Sequence, residues 1–192
     1  MDKIIREFIQ EHLEGIQRLD AARQAEIAAA ARLLIDCFRS GGRVYIGGNG
    51  GSAADAQHIA AELVGRFLRE RPGLPCVALT TDTSALTAIS NDYGFDRVFA
   101  RQVEALVRPG DVFWVLSTSG KSPNVVEAAR AARARGAKVL GFLGGTGGDT
   151  LALCDVCFLA PAKPSYAVQH LHQLAYHILC DLVERDLTLA GT

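Results

Sequence analysis

A chain of 192 residues suits one domain, or one domain with a helical appendage. Lys and Arg number 20 against 21 Asp and Glu, and the net charge of -1 argues against a nucleic-acid binder or a polybasic membrane-surface protein. With 49% apolar and 21% charged residues, the composition excludes a chain that is disordered as a whole.

Neither a targeting signal nor a membrane span is predicted. Residues 1–20 alternate charged and apolar side chains and lack a signal-peptide core. Five cysteines without a secretory signal are typical of reduced thiols, so we expect a cytoplasmic protein. Cys154 and Cys157 form a C-x-x-C pair, but no second pair accompanies it, which favours ordinary buried cysteines over a redox or metal motif.

The first 39 residues predict two helices. Apolar residues recur at spacings of three and four from Ile4 to Leu19. A second, alanine-rich run covers 21–38 and ends at Ser40-Gly41-Gly42, a helix stop. We therefore expect a helical hairpin over 2–39, whose apolar stripes pack on the core or on a partner subunit.

From residue 40 onward, short strands alternate with helices. The predicted strands are 43–46, 76–80, 111–116, 138–143 and 155–160, and the predicted helices are 53–67, 84–90, 98–107, 122–135 and 165–187. This alternation predicts an α/β fold in which helices cover both faces of a parallel sheet of about five strands. We expect a single domain over 1–192, with its α/β core at 40–192.

Two loops lie where an open parallel sheet places ligands, at the carboxyl ends of strands. The first, Gly47-Gly48-Asn49-Gly50-Gly51-Ser52, opens a helix, and its glycines let backbone N–H groups approach an anion. It matches neither a dinucleotide-binding nor a Walker A motif. The second, Ser117-Thr118-Ser119-Gly120-Lys121-Ser122, has four hydroxyl residues before a helix that begins at Pro123. Capping explains Ser122 but not the other hydroxyls, so this loop predicts a phosphate site.

One candidate pair of metal ligands lies on the helix after the first loop. His58 and Glu62 are at i and i+4 and share a helix face. An imidazole and a carboxylate one turn apart suit zinc. Such a pair alone is more often a surface hydrogen bond, but its position just past the glycine-rich loop favours a ligand role.

The last helix carries further candidates: Gln169, His170, His172, Gln173 and His177. Bare helix geometry favours pairing His170 or Gln173 with His177. Gln169 and His177 differ by about 80° around the helix axis, a less convenient pairing. The residues alone leave these alternatives open.

Five short motifs complete the pattern: Asn49-Gly50-Gly51-Ser52, Ala53-Ala54-Asp55-Ala56-Gln57-His58, Leu79-Thr80-Thr81-Asp82-Thr83, Asn91-Asp92-Tyr93 and Ser117-Thr118-Ser119-Gly120. Together they resemble the sugar isomerase (SIS) family and, within it, the bacterial phosphoheptose isomerases. The resemblance covers nearly the whole chain, including the helical hairpin. It implies a flavodoxin-like three-layer sandwich and a homotetramer with active sites at subunit contacts.

The resemblance also implies an activity: conversion of sedoheptulose 7-phosphate to D-glycero-D-manno-heptose 7-phosphate through an enediol, in the synthesis of heptose precursors for lipopolysaccharide. It implies a phosphate site of Ser117, Thr118, Ser119 and Ser122, and sugar contacts from Asn49, Gly50, Gly51, Ser52, Asn91, Asp92 and Gln169. It implies one zinc ion per active site, held by His58, Glu62, Gln169 and His177. Glu62 and His177 are the implied base and acid, with the order of the two roles open.

The chain departs from the family pattern at the start of the last helix. The family usually has an acid after the glutamine, where this chain has His170, and a Lys or Arg two residues before it, where this chain has Ala167. This departure predicts an altered sugar preference. His172 matches a histidine of the family, and its role is open between structure and function.

Two other functions compete with the isomerase. One is a non-catalytic SIS protein that binds a replication-initiator partner, and the other is a module that senses a sugar phosphate. The partner-binding relatives need not keep an acid at position 62. The presence of Glu62 and His177 therefore favours the enzyme.

Overall fold

At the centre of the computed structural model, which describes residues 1–189, lies a five-stranded sheet with all strands parallel. The strands are β1 (Val44–Gly48), β2 (Cys76–Ala78), β3 (Val112–Ser117), β4 (Lys138–Gly144) and β5 (Val156–Ala160), in the order β2-β1-β3-β4-β5. Every residue of β1 and β3 is buried, as expected for a parallel sheet that is covered on both faces. The predicted sheet is confirmed.

Helices form the two outer layers. They are α1 (Asp2–Gln17), α2 (Ala21–Arg39), α3 (Gly51–Val64), α4 (Thr83–Tyr93), α5 (Ala100–Leu106), α6 (Pro123–Ala134) and α7 (Ser165–Leu189). One core cluster joins α2, α3 and α7 to one face of the sheet, and a second joins α5 and α6 to the other. Side chains alternate accordingly along β3, where Trp114 faces the first cluster and Phe113 the second. Two short 3₁₀ turns, Phe95–Arg97 and Gly148–Leu153, are additions to the predicted elements.

The strand order reverses between β1 and β3. The chain leaves β1 toward β2 on one side and crosses back to β3 on the other. Helix α3, which follows β1, packs on one face of the sheet, whereas α6, which follows β3, packs on the opposite face. When the connections that follow two neighbouring strands run to opposite faces of the sheet, a crevice forms at the carboxyl ends of those strands. Open α/β sheets bind ligands in such crevices. Both predicted loops border this crevice.

The two predicted N-terminal helices are also confirmed, and the first of them packs on α7, with which it makes a narrow contact. Helix α1 packs on α7, and Gly15 is buried against Leu171. A neighbouring stripe of apolar residues on α1 stays 47–57% exposed: Ile5, Ile9, Leu13 and Ile16. Among the helices of residues 1–189, none combines the length and the apolar character needed to cross a membrane.

Candidate active site

An amide pair joins the two predicted loops. The Asn49 Nδ2 donates to Asn124 Oδ1 at 2.9 Å, and Asn124 Nδ2 donates back to Asn49 Oδ1 at 2.8 Å. Asn124 lies in the first turn of α6 and is buried. This residue is not among the candidates from the sequence, because no local pattern distinguishes it; its one signal is its place just after the hydroxyl-rich loop. The pair fixes the glycine-rich loop relative to that loop.

The hydroxyl-rich loop forms a tight turn that is braced from behind. Ser117 Oγ accepts a hydrogen bond from Gly120 N–H at 3.0 Å, and Ser119 Oγ accepts one from Lys121 N–H at 3.2 Å. Gly120 has a φ of +64°, and a Cβ there would lie 1.9 Å from the Gly147 carbonyl oxygen, so only glycine fits. The Gly120 carbonyl accepts hydrogen bonds from the hydroxyl and the N–H of Thr150, at 2.8 and 3.0 Å.

The other two hydroxyls of this loop, those of Ser122 and Thr118, lie at the N-termini of α6 and α7. Ser122 is the N-cap residue of α6, but its side chain makes no capping hydrogen bond, so capping does not explain its hydroxyl. Thr118 Oγ1 donates to Ser165 Oγ at 3.2 Å, at the first residue of α7. Hydroxyls and helix N–H groups together suit a phosphate.

A cluster of three potential ligands joins α3 to α7. Ligand atoms of His58, Glu62 and His177 all lie within 4.8 Å of one another. His58 Nε2 lies 3.1 Å from Glu62 Oε1, and the imidazole rings of His58 and His177 meet edge to face with centroids 5.1 Å apart. Two imidazoles and one carboxylate are a donor set that zinc uses in catalytic sites, where a fourth position is left for water or substrate. The residues therefore fit the predicted metal.

Behind His58, a hydrogen-bonded relay orients the ring. Tyr176 Oη donates to Asp55 Oδ1 at 3.4 Å and lies 3.0 Å from His58 Nδ1. With its proton directed at Asp55, the hydroxyl is an acceptor for a proton on His58 Nδ1, and in that tautomer His58 Nε2 is free to bind a metal beside Glu62. The relay matches the support that metal-binding histidines receive through their second nitrogen.

His177 is held in its neutral form. Burial, and next the nearby His58, lower the pKa of His177, while Glu62 acts in the opposite direction. The Phe67 ring stacks flat on the imidazole, with centroids 5.3 Å apart and planes 4° from parallel. A neutral imidazole can bind a metal or accept a proton.

Gln169 reaches the glycine-rich loop. Its amide packs so closely on Gly51 that a Cβ on the glycine would lie 2.5 Å from Gln169 Nε2. His177 lies eight positions after Gln169 on α7, a rise of about 12 Å along the helix. The structure thus places Gln169 beside the predicted sugar-binding residues, and its role as a fourth metal ligand stays a prediction.

His170 and His172 lie away from the three-residue cluster. A ring nitrogen of His170 contacts His12 on α1. Helix α7 packs on α3 near His177, but near its own N-terminal end the same face packs on α1. His172 is buried and its Nε2–H donates to the Leu143 carbonyl at 3.2 Å. Burial lowers the pKa of His172 to about 4, with the Leu143 hydrogen bond acting in the opposite direction. These contacts give His172 a structural role.

Asn91 and Asp92 lie on the last turn of α4, which follows the edge strand β2. Both side chains are exposed, and Asn91 Nδ2 donates to Asp92 Oδ1 at 2.9 Å. Their sugar contacts stay a prediction.

The C-x-x-C pair is partly buried. Cys154 Sγ–H donates to the Thr150 carbonyl at 3.3 Å, and both thiols lie against Gly141. A hydrogen bond with Cys154 raises the pKa of Cys157, and burial raises it further. A thiolate at Cys157 is thus disfavoured, which argues against a redox motif, although the two cysteines are partly rather than fully buried.

Comparison with known proteins identifies the family. The family model described as "SIS domain" matches residues 7–144. The phosphoheptose isomerase of Trichlorobacter lovleyi is 50% identical over 97% of this chain and 95% of its own length. That of Helicobacter hepaticus is also 50% identical, over 97% and 94%.

Solved structures agree. The phosphoheptose isomerase from Neisseria gonorrhoeae superposes with a TM-score of 0.91 at 42% identity, over 96% of this chain and 98% of that one. The one from Francisella tularensis has the same TM-score at 36% identity, over 96% and 97%. From the family match, the identities and the shared fold, the chain belongs to the SIS family and, within it, to the phosphoheptose isomerases.

Proposed function

We propose that this chain is an aldose–ketose isomerase that converts sedoheptulose 7-phosphate to D-glycero-D-manno-heptose 7-phosphate. The observation that carries the proposal is the cluster of His58, Glu62 and His177, which combines proton-transfer groups with a metal-ligand set. The names of its half-identical relatives supply the seven-carbon sugar phosphate. Neither partner binding nor sugar sensing requires this cluster.

Two loops bind different parts of the substrate. The hydroxyls of Ser117, Thr118, Ser119 and Ser122, with the N-terminus of α6, receive the phosphate. The glycine-rich loop of Asn49, Gly50, Gly51 and Ser52, with Gln169, receives the sugar. Asn91 and Asp92 are exposed, and in an oligomer they would reach the sugar across a subunit contact.

The reaction needs a base and an acid on neighbouring carbons. In the ketose-to-aldose direction, the base takes a proton from C1 while the carbonyl oxygen on C2 gains one, which gives an enediol. A proton then returns to C2, and the hydroxyl on C1 loses its proton to become the aldehyde. Glu62 and His177 carry these transfers. The lowered pKa of His177 keeps its imidazole able to accept a proton.

We propose one zinc ion in each site, bound by His58, Glu62 and His177, with Gln169 as the predicted fourth ligand. When bound, such an ion polarises a substrate carbonyl and stabilises negative charge on its oxygen. Glu62 is then both ligand and base, so its carboxylate has to loosen from one role during turnover. Tyr176 and Asp55 keep His58 oriented throughout.

The assembly follows from the surface of α1. Its exposed apolar stripe of Ile5, Ile9, Leu13 and Ile16 is typical of a subunit contact, and we propose a homotetramer. We further propose that 1–192 forms one SIS domain and that the enzyme is cytoplasmic. Of the helices in 2–39, α2 packs in the core of its own chain, so the subunit contacts proposed for this segment fall to α1. Its product would supply heptose precursors for lipopolysaccharide.

One experiment tests the function and separates it from the alternatives. Purified protein is incubated with sedoheptulose 7-phosphate, and the aldose is detected by chromatography, with a six-carbon ketose phosphate as the control substrate. Chelation is expected to abolish turnover and added zinc to restore it. Binding of the substrate without product would favour the sugar-phosphate sensor, and neither binding nor turnover would favour the partner-binding protein.

A further inference from the structure

We propose that a buried ion pair, Arg71 with Glu184, positions Glu62 and His177 for the reaction. The inference rests on the proposed function, since it assigns positioning residues to that same site. Arg71 Nε lies 3.2 Å from Glu184 Oε1, and the two side chains are 3% and 0% exposed. Neither residue belongs to the catalytic cluster, and neither is among the candidates from the sequence.

Glu184 anchors the segment that follows α3. Its Oε1 accepts a hydrogen bond from Phe67 N–H at 2.7 Å, and its Oε2 accepts from Leu68 N–H and Arg69 N–H at 2.8 and 3.0 Å. Burial acts to raise the pKa of Glu184, but the three N–H donors and Arg71 outweigh it, so the pKa is lowered. The carboxylate is therefore ionised and binds all three amides at once.

Arg71 anchors the end of α3 itself. Its Nη2 donates to the Glu62 carbonyl at 2.8 Å, and its Nη1 donates to the Leu63 carbonyl at 2.8 Å. The carbonyls in the last turn of a helix have no partner within the helix, and a guanidinium can bind several of them in one plane. The backbone of the residue that carries the proposed base is thus bound directly to Arg71.

The same pair also reaches His177. Glu184 lies seven residues after His177 on α7, about 20° away around the axis, so both side chains face the segment that follows α3. Because Glu184 fixes the Phe67 amide, it fixes the residue whose ring stacks on His177. One ion pair therefore sets the position of α3, of Phe67 and of α7 around the ligand cluster.

A matched contact on the same two elements offers a control. Arg69 and Asp181 form a second ion pair between the segment after α3 and α7, with side chains 33% and 24% exposed. Asp181 also accepts from Arg185, and the side-chain donor of its partner Arg69 is directed at Asp181, whereas the Glu62 and Leu63 carbonyls are bound by Arg71. Asp181→Asn removes an ion pair of similar span without disturbing the backbone of α3.

The test compares Arg71→Lys with the wild type and with Asp181→Asn. Lysine keeps the positive charge beside Glu184 but loses the planar fork that binds two carbonyls. For Arg71→Lys we expect zinc affinity, measured by titration, to fall about 10–100-fold, as for other residues that orient metal ligands. We expect kcat to fall with it, and KM for sedoheptulose 7-phosphate to change less than about twofold, because the phosphate loop is separate. Asp181→Asn is expected to match the wild type.

A second variant covers the case in which Arg71→Lys does not fold. Arg71→Met combined with Glu184→Gln removes both charges, so no buried charge is left unpaired, and its fold is checked by circular dichroism. Wild-type zinc affinity and kcat in a folded variant of either kind would overturn the proposal. So would equal losses in Asp181→Asn. Since zinc titration needs no turnover, its result stands even where the wild type fails to isomerise the heptose and the proposed function itself is wrong.

Discussion

The side-chain amides of Asn49 and Asn124 hydrogen-bond each other in both directions, at 2.9 and 2.8 Å. Each amide donates one N–H to the other and accepts one hydrogen bond at its oxygen, so the pair fixes both side chains. The two residues follow adjacent strands whose chains leave to opposite faces of the sheet. This contact therefore joins the two loops at the base of the crevice, where we propose that the sugar and its phosphate bind.

Removing one amide of this pair should weaken both stability and catalysis. In Asn124→Ala the amide of Asn49 loses its partner, so we expect the free energy of unfolding to fall by about 1–3 kcal/mol. Because Asn49 is then free to move, we expect kcat/KM to fall by about 10–100-fold. Denaturant titration and steady-state kinetics measure the two effects. The exposed amide variant Gln24→Ala is the control, and an equal loss there would contradict the prediction.

Tyr176→Phe tests the relay behind His58. The variant keeps the buried ring but removes the hydroxyl that lies between His58 Nδ1 and Asp55. We expect zinc affinity to fall about 10–100-fold, since the imidazole loses the partner that fixes its orientation. Zinc titration measures the change, and circular dichroism shows that the fold is kept. Unaltered zinc affinity would mean that His58 is oriented without the hydroxyl.

Glu62→Gln tests the proposed proton transfer. The amide keeps the size of the side chain and an oxygen for the metal, but it cannot accept a proton at neutral pH. We expect turnover to fall by about 10²–10⁴-fold, with zinc still bound. Glu70→Gln, an exposed carboxylate on the following segment, is the matched control. Turnover above about a tenth of the wild-type value would exclude Glu62 as the base.

The buried His172 makes stability depend on pH. Burial lowers its pKa from 6.5 to about 4 in the folded chain. The unfolded chain therefore binds a proton that the folded chain does not, and stability falls as the pH drops from about 6.5 toward 4. Between pH 7.5 and pH 5 this residue alone should cost about 2 kcal/mol. Denaturant unfolding at both pH values should show a smaller pH dependence for His172→Gln than for the wild type.

A charge on the exposed face of α1 should dissociate the proposed oligomer. Ile9 lies in the middle of the apolar stripe and is 55% exposed. Ile9→Asp would bury a carboxylate in the contact, so we expect light scattering to report a smaller assembly at micromolar concentration. Gln10→Asp adds the same charge one residue along, on the neighbouring face, and should leave the assembly intact. A wild-type monomer would refute the oligomer itself.

The order of helices and strands can be predicted closely from the sequence, because apolar periodicity and glycine-rich breaks are local signals. Strand β4, for example, is predicted at 138–143 and covers Lys138–Gly144. The two loops are also predictable, since hydroxyls and glycines clustered just after strands contribute little to a packed core. Helix α3 begins two residues earlier than expected, at Gly51, because its first turn is built from the glycine-rich loop.

The supporting residues of the site cannot be predicted in this way. Tyr176 stands in an apolar run of α7 and resembles an ordinary core residue until His58 is seen beside its hydroxyl. Glu184 and Arg71 are 113 residues apart, and each alone resembles a solvated charge. For His170, helix geometry alone suggests a site residue that is not in the cluster. It shares a helix face with His177, but α1 rather than α3 covers that end of the face. Only the packing of α1, α3 and α7 decides these roles.

The contact between Gly51 and Gln169 predicts a pattern of sequence variation. Gly51 does not have a positive φ, so its backbone alone would accept alanine. A Cβ at position 51 would displace the Gln169 amide, which already fills that space. The volumes at positions 51 and 169 are therefore coupled, although the two positions are 118 residues apart. In evolution they are expected to covary, with a side chain at 51 favoured by a shorter residue at 169.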